Sequence, residues 1–169
     1  MENTAKLHSL SLAHGRAWLM AAIFVAGNIV LPQLCHLLPK GGLILLPIYF
    51  FTLVASYKYG LWVGLATALL SPVANHLLFA MPAAGALAPI LVKSVALAFA
   101  ASYAAKWAGK VSLLAIVSAV LAYQIVGTGA EWAMEGTLST AIGDFRLGVP
   151  GLLMQVFGGW LVLRALQKV

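Results

Sequence analysis

Charged side chains are scarce in this chain. Asp, Glu, Lys and Arg make up 8% of its 169 residues, whereas 63% are hydrophobic and the mean hydropathy is +1.00. Because a soluble domain carries about a quarter charged residues, this composition excludes an ordinary soluble globular protein. The apolar runs are continuous rather than alternating, which argues against a membrane β-barrel. The sequence therefore predicts an all-α membrane protein.

Features that would indicate other kinds of protein are also absent. The single cysteine, Cys35, excludes an intramolecular disulfide, and with His36 it lacks the two further ligands of a closed zinc site. The sequence has no GxSxG, HExxH or P-loop motif, so neither an enzyme nor a cofactor is expected. The net charge of +6 comes from basic residues scattered singly between apolar runs, which argues against nucleic-acid binding.

Apolar runs predict six membrane segments in one domain covering residues 1–169. Each transmembrane helix needs about 20 apolar residues, so six helices leave no room for a soluble catalytic or ATP-binding domain. The first residues are too polar for a signal peptide, and we expect residues 1–14 to lie on the cytoplasmic surface. The segments cover residues 17–38, 43–57, 61–80, 84–105 and 111–132, and a last helix ends near residue 166.

Basic residues in the loops predict the orientation in the membrane. With the N-terminus inside, seven basic residues are cytoplasmic, and the outer loops hold only Lys40 and Arg146. This positive-inside bias predicts a multi-pass protein of a prokaryotic cytoplasmic (inner) membrane, with both termini in the cytoplasm. The seven cytoplasmic positions are Lys6, Arg16, Lys58, Lys106, Lys110, Arg164 and Lys168.

Polar residues concentrate in the outer halves of the predicted helices. Because polar side chains are costly inside a bilayer, this asymmetry predicts a polar pocket that opens to the exterior. Loops 1–2, 3–4 and 5–6 would cap the pocket. The polar residues of these outer halves are Asn28, Gln33, Cys35, His36, Asn75, His76, Lys93, Ser94, Gln124, Thr128, Glu131, Trp132 and Gln155.

Simpler explanations stay open for each of these residues. The Lys93 amine could reach the headgroups, and Glu131 could be a loop carboxylate in water. An ion pair between the two would satisfy both without a ligand. Asn75 and His76 could bond to backbone groups, and the glutamines could link helices.

Two stripes of small residues suggest close helix packing. Ala17 and Ala21 lie four residues apart on the first helix, and Ala22 and Ala26 form the adjoining stripe. Such surfaces let another helix approach closely, so this face is either a docking surface for a partner protein or part of the bundle. A second stripe, expected to pack within the bundle, comprises Gly60, Gly64 and Ala68.

Residues 41–78, GGLILLPIYFFTLVASYKYGLWVGLATALLSPVANHLL, carry a resemblance to a known family. With the six segments, the topology and the alanine stripe, they resemble the substrate-binding S components of energy-coupling factor (ECF) transporters. That family similarly has a proline early in the second helix, an aromatic or basic turn, and glycines opening the third. Residues 147–151, LGVPG, before the last helix are also similar.

The resemblance implies a six-helix subunit that binds a vitamin or related micronutrient from outside and delivers it inward. Its partners would be a transmembrane coupling protein and two cytoplasmic ATPases. The coupling protein would dock on Ala17, Ala21, Ala22 and Ala26. The candidates for substrate binding, by position, are Asn75, His76, Lys93, Gln124, Glu131 and Trp132.

The chemistry of these candidates leaves the substrate open. Lys93 would suit a carboxylate or phosphate, the amide, carboxylate and histidine would suit a hydrogen-bonding heterocycle, and Trp132 could stack on a planar ring. Two other functions are also open. The chain could be a structural or assembly membrane protein without a ligand, or a standalone secondary transporter.

Overall fold

The computed structural model describes residues 10–167, with the side chains of residues 135, 140 and 144 excepted. Lys6, Lys168 and most of the predicted surface segment 1–14 lie outside the described residues. Every regular element in the described range is helical. The helices are α1 (Gly15–Cys35), α2 (Gly41–Leu45), α3 (Phe50–Tyr59), α4 (Leu61–Phe79), α5 (Ala84–Ala108), α6 (Leu113–Glu135), α7 (Leu138–Leu147) and α8 (Val149–Leu166).

Five helices are long and apolar enough to cross a membrane, namely α1, α4, α5, α6 and α8. Large apolar side chains lie exposed along all five, as at Ile23, Leu77, Phe99, Ile125 and Leu161. In water such a surface would be unfavourable, whereas in a bilayer it faces lipid. The prediction of an all-α, multi-pass membrane protein is therefore confirmed.

The segment predicted as a single second helix is broken. Helix α2 ends at Leu45, Leu46 adopts a left-handed conformation with φ 49°, and a 3₁₀ turn over Pro47–Tyr49 leads into α3. Proline has no N–H to donate and disfavours a helical residue before it, so Pro47 stops α2 rather than sitting in a continuous helix.

Helix α3 forms the centre of the bundle. Its residues are almost all buried, and it packs against α1, α4, α5 and α8. Its first turn would leave N–H groups without partners at membrane depth. The side-chain oxygen of Asn28 on α1 accepts a hydrogen bond from the Phe51 N–H, 3.1 Å away. Near its other end, Lys58 Nζ donates to the Leu166 carbonyl oxygen, 3.1 Å away, at the end of α8.

Two glycines allow close contacts within the bundle. A Cβ at Gly64 would clash with the Ser56 side chain, so α4 approaches α3 closely at Gly64, the middle residue of the Gly60, Gly64 and Ala68 stripe. A Cβ at Gly151 would lie 2.5 Å from the Leu45 carbonyl oxygen, so the start of α8 lies directly against the end of α2.

The alanine face of α1 divides between the interior and the surface. Ala17 and Ala21 are fully covered by the chain's own helices, whereas Ala22 and Ala26 are exposed. The first pair thus contributes to the core. Only the second pair is accessible to another protein.

Candidate functional site

A buried ion pair joins α5 and α6. Lys93 Nζ lies 2.5 Å from Glu131 Oε1, and each residue is only 6% exposed. A lone charge at this depth would be costly, and the two groups neutralise each other. The sequence left open that these two residues pair with each other, and the structure has this pairing.

A glycine on α6 provides the space for the lysine. A Cβ at Gly127 would clash with the Lys93 stem, so the stem lies directly against the α6 backbone. Gly127 is one helical turn before Glu131 and therefore shares its face. The glycine and the carboxylate together direct the amine towards Glu131.

The ion pair borders a cavity of about 140 Å³. The cavity is bordered by the broken segment, α5, α6 and the end of α7. Its lining residues are Gly42, Leu43, Leu46, Ile48, Tyr49, Ala86, Pro89, Ile90, Lys93, Gln124, Glu131 and Leu147.

Two polar atoms of residues that line this cavity have no hydrogen-bond partner among the described residues. They are Glu131 Oε2 and Gln124 Oε1, and both are buried. Glu131 and Gln124 are seven residues apart, which is about two helical turns, so they lie on one face of α6. Native proteins rarely leave buried polar atoms unpaired, because each costs free energy, and such atoms are therefore candidates for ligand contacts.

A second cavity of about 440 Å³ adjoins the first, and Gly42, Leu43, Ile48, Ala86 and Ile90 border both. It lies between α1, α2, α4 and the start of α5. Its lining is mostly apolar, with a few polar side chains. The polar residues that line it are Gln33, His36, Lys40 and Asn75.

The six predicted binding residues therefore do not all lie at one cavity. Lys93, Gln124 and Glu131 lie together at the first cavity, and Asn75 lines the second. His76 lines neither cavity, and its Nδ1 lies 2.7 Å from the carbonyl oxygen of Pro82, which lines the second.

Trp132 follows Glu131 in sequence but points elsewhere. It is 51% exposed and lines a surface groove between α6 and α7, together with Gln124 and Phe145. One residue along a helix rotates the side chain by about 100°, which separates it from its neighbour. Trp132 therefore lines neither of the two cavities, and its stacking on a planar ring stays a prediction.

The Cys35 and His36 pair has local contacts. His36 Nδ1 lies 2.6 Å from the Pro32 carbonyl oxygen, and the ring packs on Gly42, where a Cβ would lie 2.8 Å from Nε2. Within residues 10–167, no group of three or more His, Cys, Asp or Glu side chains could hold a metal ion.

Two tyrosines at or near the first cavity were not among the residues that the sequence predicted for the site. Tyr49, which lines the first cavity, and Tyr123 have ring centroids 5.4 Å apart. The Tyr123 hydroxyl donates to Gln155 Oε1 on α8, 3.0 Å away. Gln155 lies in a π-turn, Met154–Gly158, a distortion that is frequent at functional sites. In the sequence both tyrosines stand in long apolar runs and look like core residues.

Known proteins give no family for this chain. No family model matches it, and neither a curated protein nor a solved structure shows significant similarity to it.

Proposed function

We propose that this protein is the membrane-embedded substrate-binding subunit of an ECF-type importer. It captures a vitamin or related micronutrient from outside and delivers it inward with a transmembrane coupling protein and two cytoplasmic ATPases. The observation that carries the proposal is the buried Lys93–Glu131 pair: both residues line the first cavity, and the second carboxylate oxygen of Glu131 has no partner in the described part of the chain.

A ligand site explains these residues better than a purely structural role does. A structural ion pair needs only a good geometry and satisfied lone pairs, and a packed apolar pair of the same volume would stabilise the bundle equally well. Here the chain retains charge, and two residues that line the cavity each keep a buried oxygen, Glu131 Oε2 and Gln124 Oε1, without a partner among the described residues. A cavity with a few convergent polar groups is the usual form of a small-molecule site.

The proposed topology has six crossings. The broken segment, residues 41–59, supplies one crossing besides the five long helices. An even number of crossings returns both termini to one side, and the loop charges favour the cytoplasm. Irregular backbone at membrane depth is tolerated where it lines a cavity, as Leu46 and Ile48 do here.

The proposed docking surface for the coupling protein is the outer part of the alanine face. Ala22 and Ala26 are exposed and small, so a partner helix could approach the α1 backbone closely there. Ala17 and Ala21 support this surface from within the bundle.

The test of the proposed function is mass spectrometry of small molecules released from the purified, denatured protein. We expect a vitamin-like compound in stoichiometric amount, and its loss in the Glu131→Gln variant. An empty protein whose thermal stability is also unchanged by a panel of vitamins would point to a structural role instead.

Docking is tested by uptake in cells that contain the coupling protein and the ATPases. Ala22→Trp should abolish uptake while ligand binding persists. Leu114→Trp, an equally bulky change at an exposed position of α6, is the matched control. Uptake that needs no ATPase would indicate a secondary transporter.

A further inference from the structure

The charges at the first cavity are already balanced. Lys93 is paired with Glu131, and both are 94% buried. An anion placed beside this pair would add an uncompensated charge in a medium of low dielectric constant, which is strongly unfavourable. The lysine therefore does not by itself make this a site for a carboxylate or phosphate.

The unpaired polar atoms of the residues that line the cavity are both hydrogen-bond acceptors. Glu131 Oε2 and Gln124 Oε1 are buried, without partners among the described residues, and carried by residues that line the cavity. An acceptor is satisfied only by an N–H or O–H group. A hydrogen bond to a carboxylate oxygen is also stronger than one between neutral groups.

The size of the cavity limits what it can hold. A cavity of about 150 Å³ holds a benzene ring, and this one measures about 140 Å³. The adjoining cavity of about 440 Å³ has room for the remainder of a larger molecule. The Tyr49 ring lines the first cavity and offers an aromatic surface to a planar group.

We propose that the first cavity selects an uncharged, ring-sized head group that carries N–H donors, such as a carboxamide or an amino-substituted heterocycle. The donors bind Glu131 Oε2 and Gln124 Oε1, and the rest of the molecule extends into the second cavity. This inference depends on the proposed function, because it names the class of ligand that the same site takes.

Three isosteric compounds test this selection on the full-length protein in nanodiscs. Benzamide, acetophenone and benzoate differ only in the group attached to the carbonyl carbon: an NH₂, a methyl or an anionic oxygen. We expect benzamide to bind at least tenfold more tightly than the other two by isothermal titration calorimetry, the factor that one such hydrogen bond provides.

A variant of the ion pair sharpens the test. Glu131→Gln removes the carboxylate and leaves the Lys93 charge without a counter-ion, so benzoate should now bind at least tenfold more tightly than benzamide. Gly129→Ala is the control on the same helix, because a Cβ there meets nothing within 4 Å. It should leave the preference for benzamide unchanged.

The outcomes separate the ligand class from the proposed function. If the unmodified protein binds benzoate as tightly as benzamide, the selection for donors is wrong, but the proposal that the protein binds a small molecule is unaffected. Equal affinities for acetophenone and benzamide overturn it as well. If none of the three binds, the inference fails, and the molecules released from the purified protein decide the proposed function independently.

Discussion

The buried polar side chains around Asn28 differ from those around Lys93 and Glu131. The Asn28 amide donates to Thr52 Oγ1 and Ser71 Oγ, both at 3.1 Å, and its oxygen accepts from the Phe51 N–H. Every polar atom of this side chain is used to join α1, α3 and α4. At the other cluster, Glu131 Oε2 has no partner within residues 10–167.

The difference indicates two different roles. Polar groups in a low-dielectric interior stabilise a fold when they are fully paired, as at Asn28. A cluster that is only partly paired costs free energy, and the cost is tolerated where a ligand completes the pairing. The Asn28 side chain is therefore structural, and the Lys93–Glu131 cluster is the candidate for function.

The largest effect on stability is expected from breaking the ion pair on one side. Lys93→Met leaves a buried carboxylate without a counter-charge and should lower the free energy of unfolding by about 4 kcal/mol. The measurement is unfolding in mixed detergent micelles. The double variant Lys93→Met/Glu131→Gln should recover much of the loss, and Lys106→Met, an exposed lysine of the same helix, should change little.

Removal of the structural hub should have the next largest effect. Asn28→Leu leaves the Phe51 N–H and two hydroxyl groups without their partner, and a loss of about 3 kcal/mol is expected. Benzamide affinity of the folded variant should stay unchanged, because the Asn28 side chain is outside both cavities. If the variant keeps the free energy of unfolding of the unmodified protein but loses benzamide affinity, Asn28 has a role in binding and not in stability. Val30→Ala, at an exposed position of α1, is the control.

A smaller effect should follow from filling the space beside the lysine. Gly127→Ala forces the Lys93 stem away from α6 and should cost about 1–2 kcal/mol of stability through overpacking. It should also weaken benzamide binding, since the carboxylate moves with its partner. If Gly127→Ala and Gly129→Ala have the same stability and the same benzamide affinity, the close contact between Gly127 and Lys93 contributes to neither.

A smaller effect still is expected at Lys58, a buried lysine that donates to a backbone carbonyl oxygen instead of pairing with a carboxylate. Lys58→Met removes a hydrogen bond to the Leu166 carbonyl oxygen and should cost about 1 kcal/mol. Ligand affinity should not change, in contrast to the variants of the ion pair. Lys110→Met, at an exposed position, provides the baseline for loss of a positive charge. A measurable fall in benzamide affinity for Lys58→Met would contradict the assignment of this lysine to structure alone.

Composition and apolar runs were sufficient to predict the helical membrane class, because the bilayer leaves few alternatives for such a sequence. The possibility of a Lys93–Glu131 pair could also be foreseen, since a charge inside the membrane needs a partner. The break in the second segment could not be foreseen. Pro47 near a helix start is compatible with a continuous helix, and only the left-handed Leu46 shows that the chain turns there.

Helix rotation limited the prediction of individual site residues. Glu131 and Trp132 are adjacent, yet one faces the cavity and the other the groove beside α7. On α1, Ala21 is covered and Ala22 is exposed for the same reason. Apolar residues surround these positions on every side, so the sequence pattern does not fix which direction faces the interior.

The contact at Gly151 links the two ends of the molecule mechanically. Helix α2 carries Gly42 and Leu43, which border both cavities, and its last carbonyl lies against the start of α8. Helix α8 has 18 residues and is about 27 Å long, with the π-turn at Met154–Gly158 within it, and a hydrogen bond from Lys58 holds its far end. Helix α8 therefore joins the residues that border both cavities to the end of the bundle at which Lys58 lies.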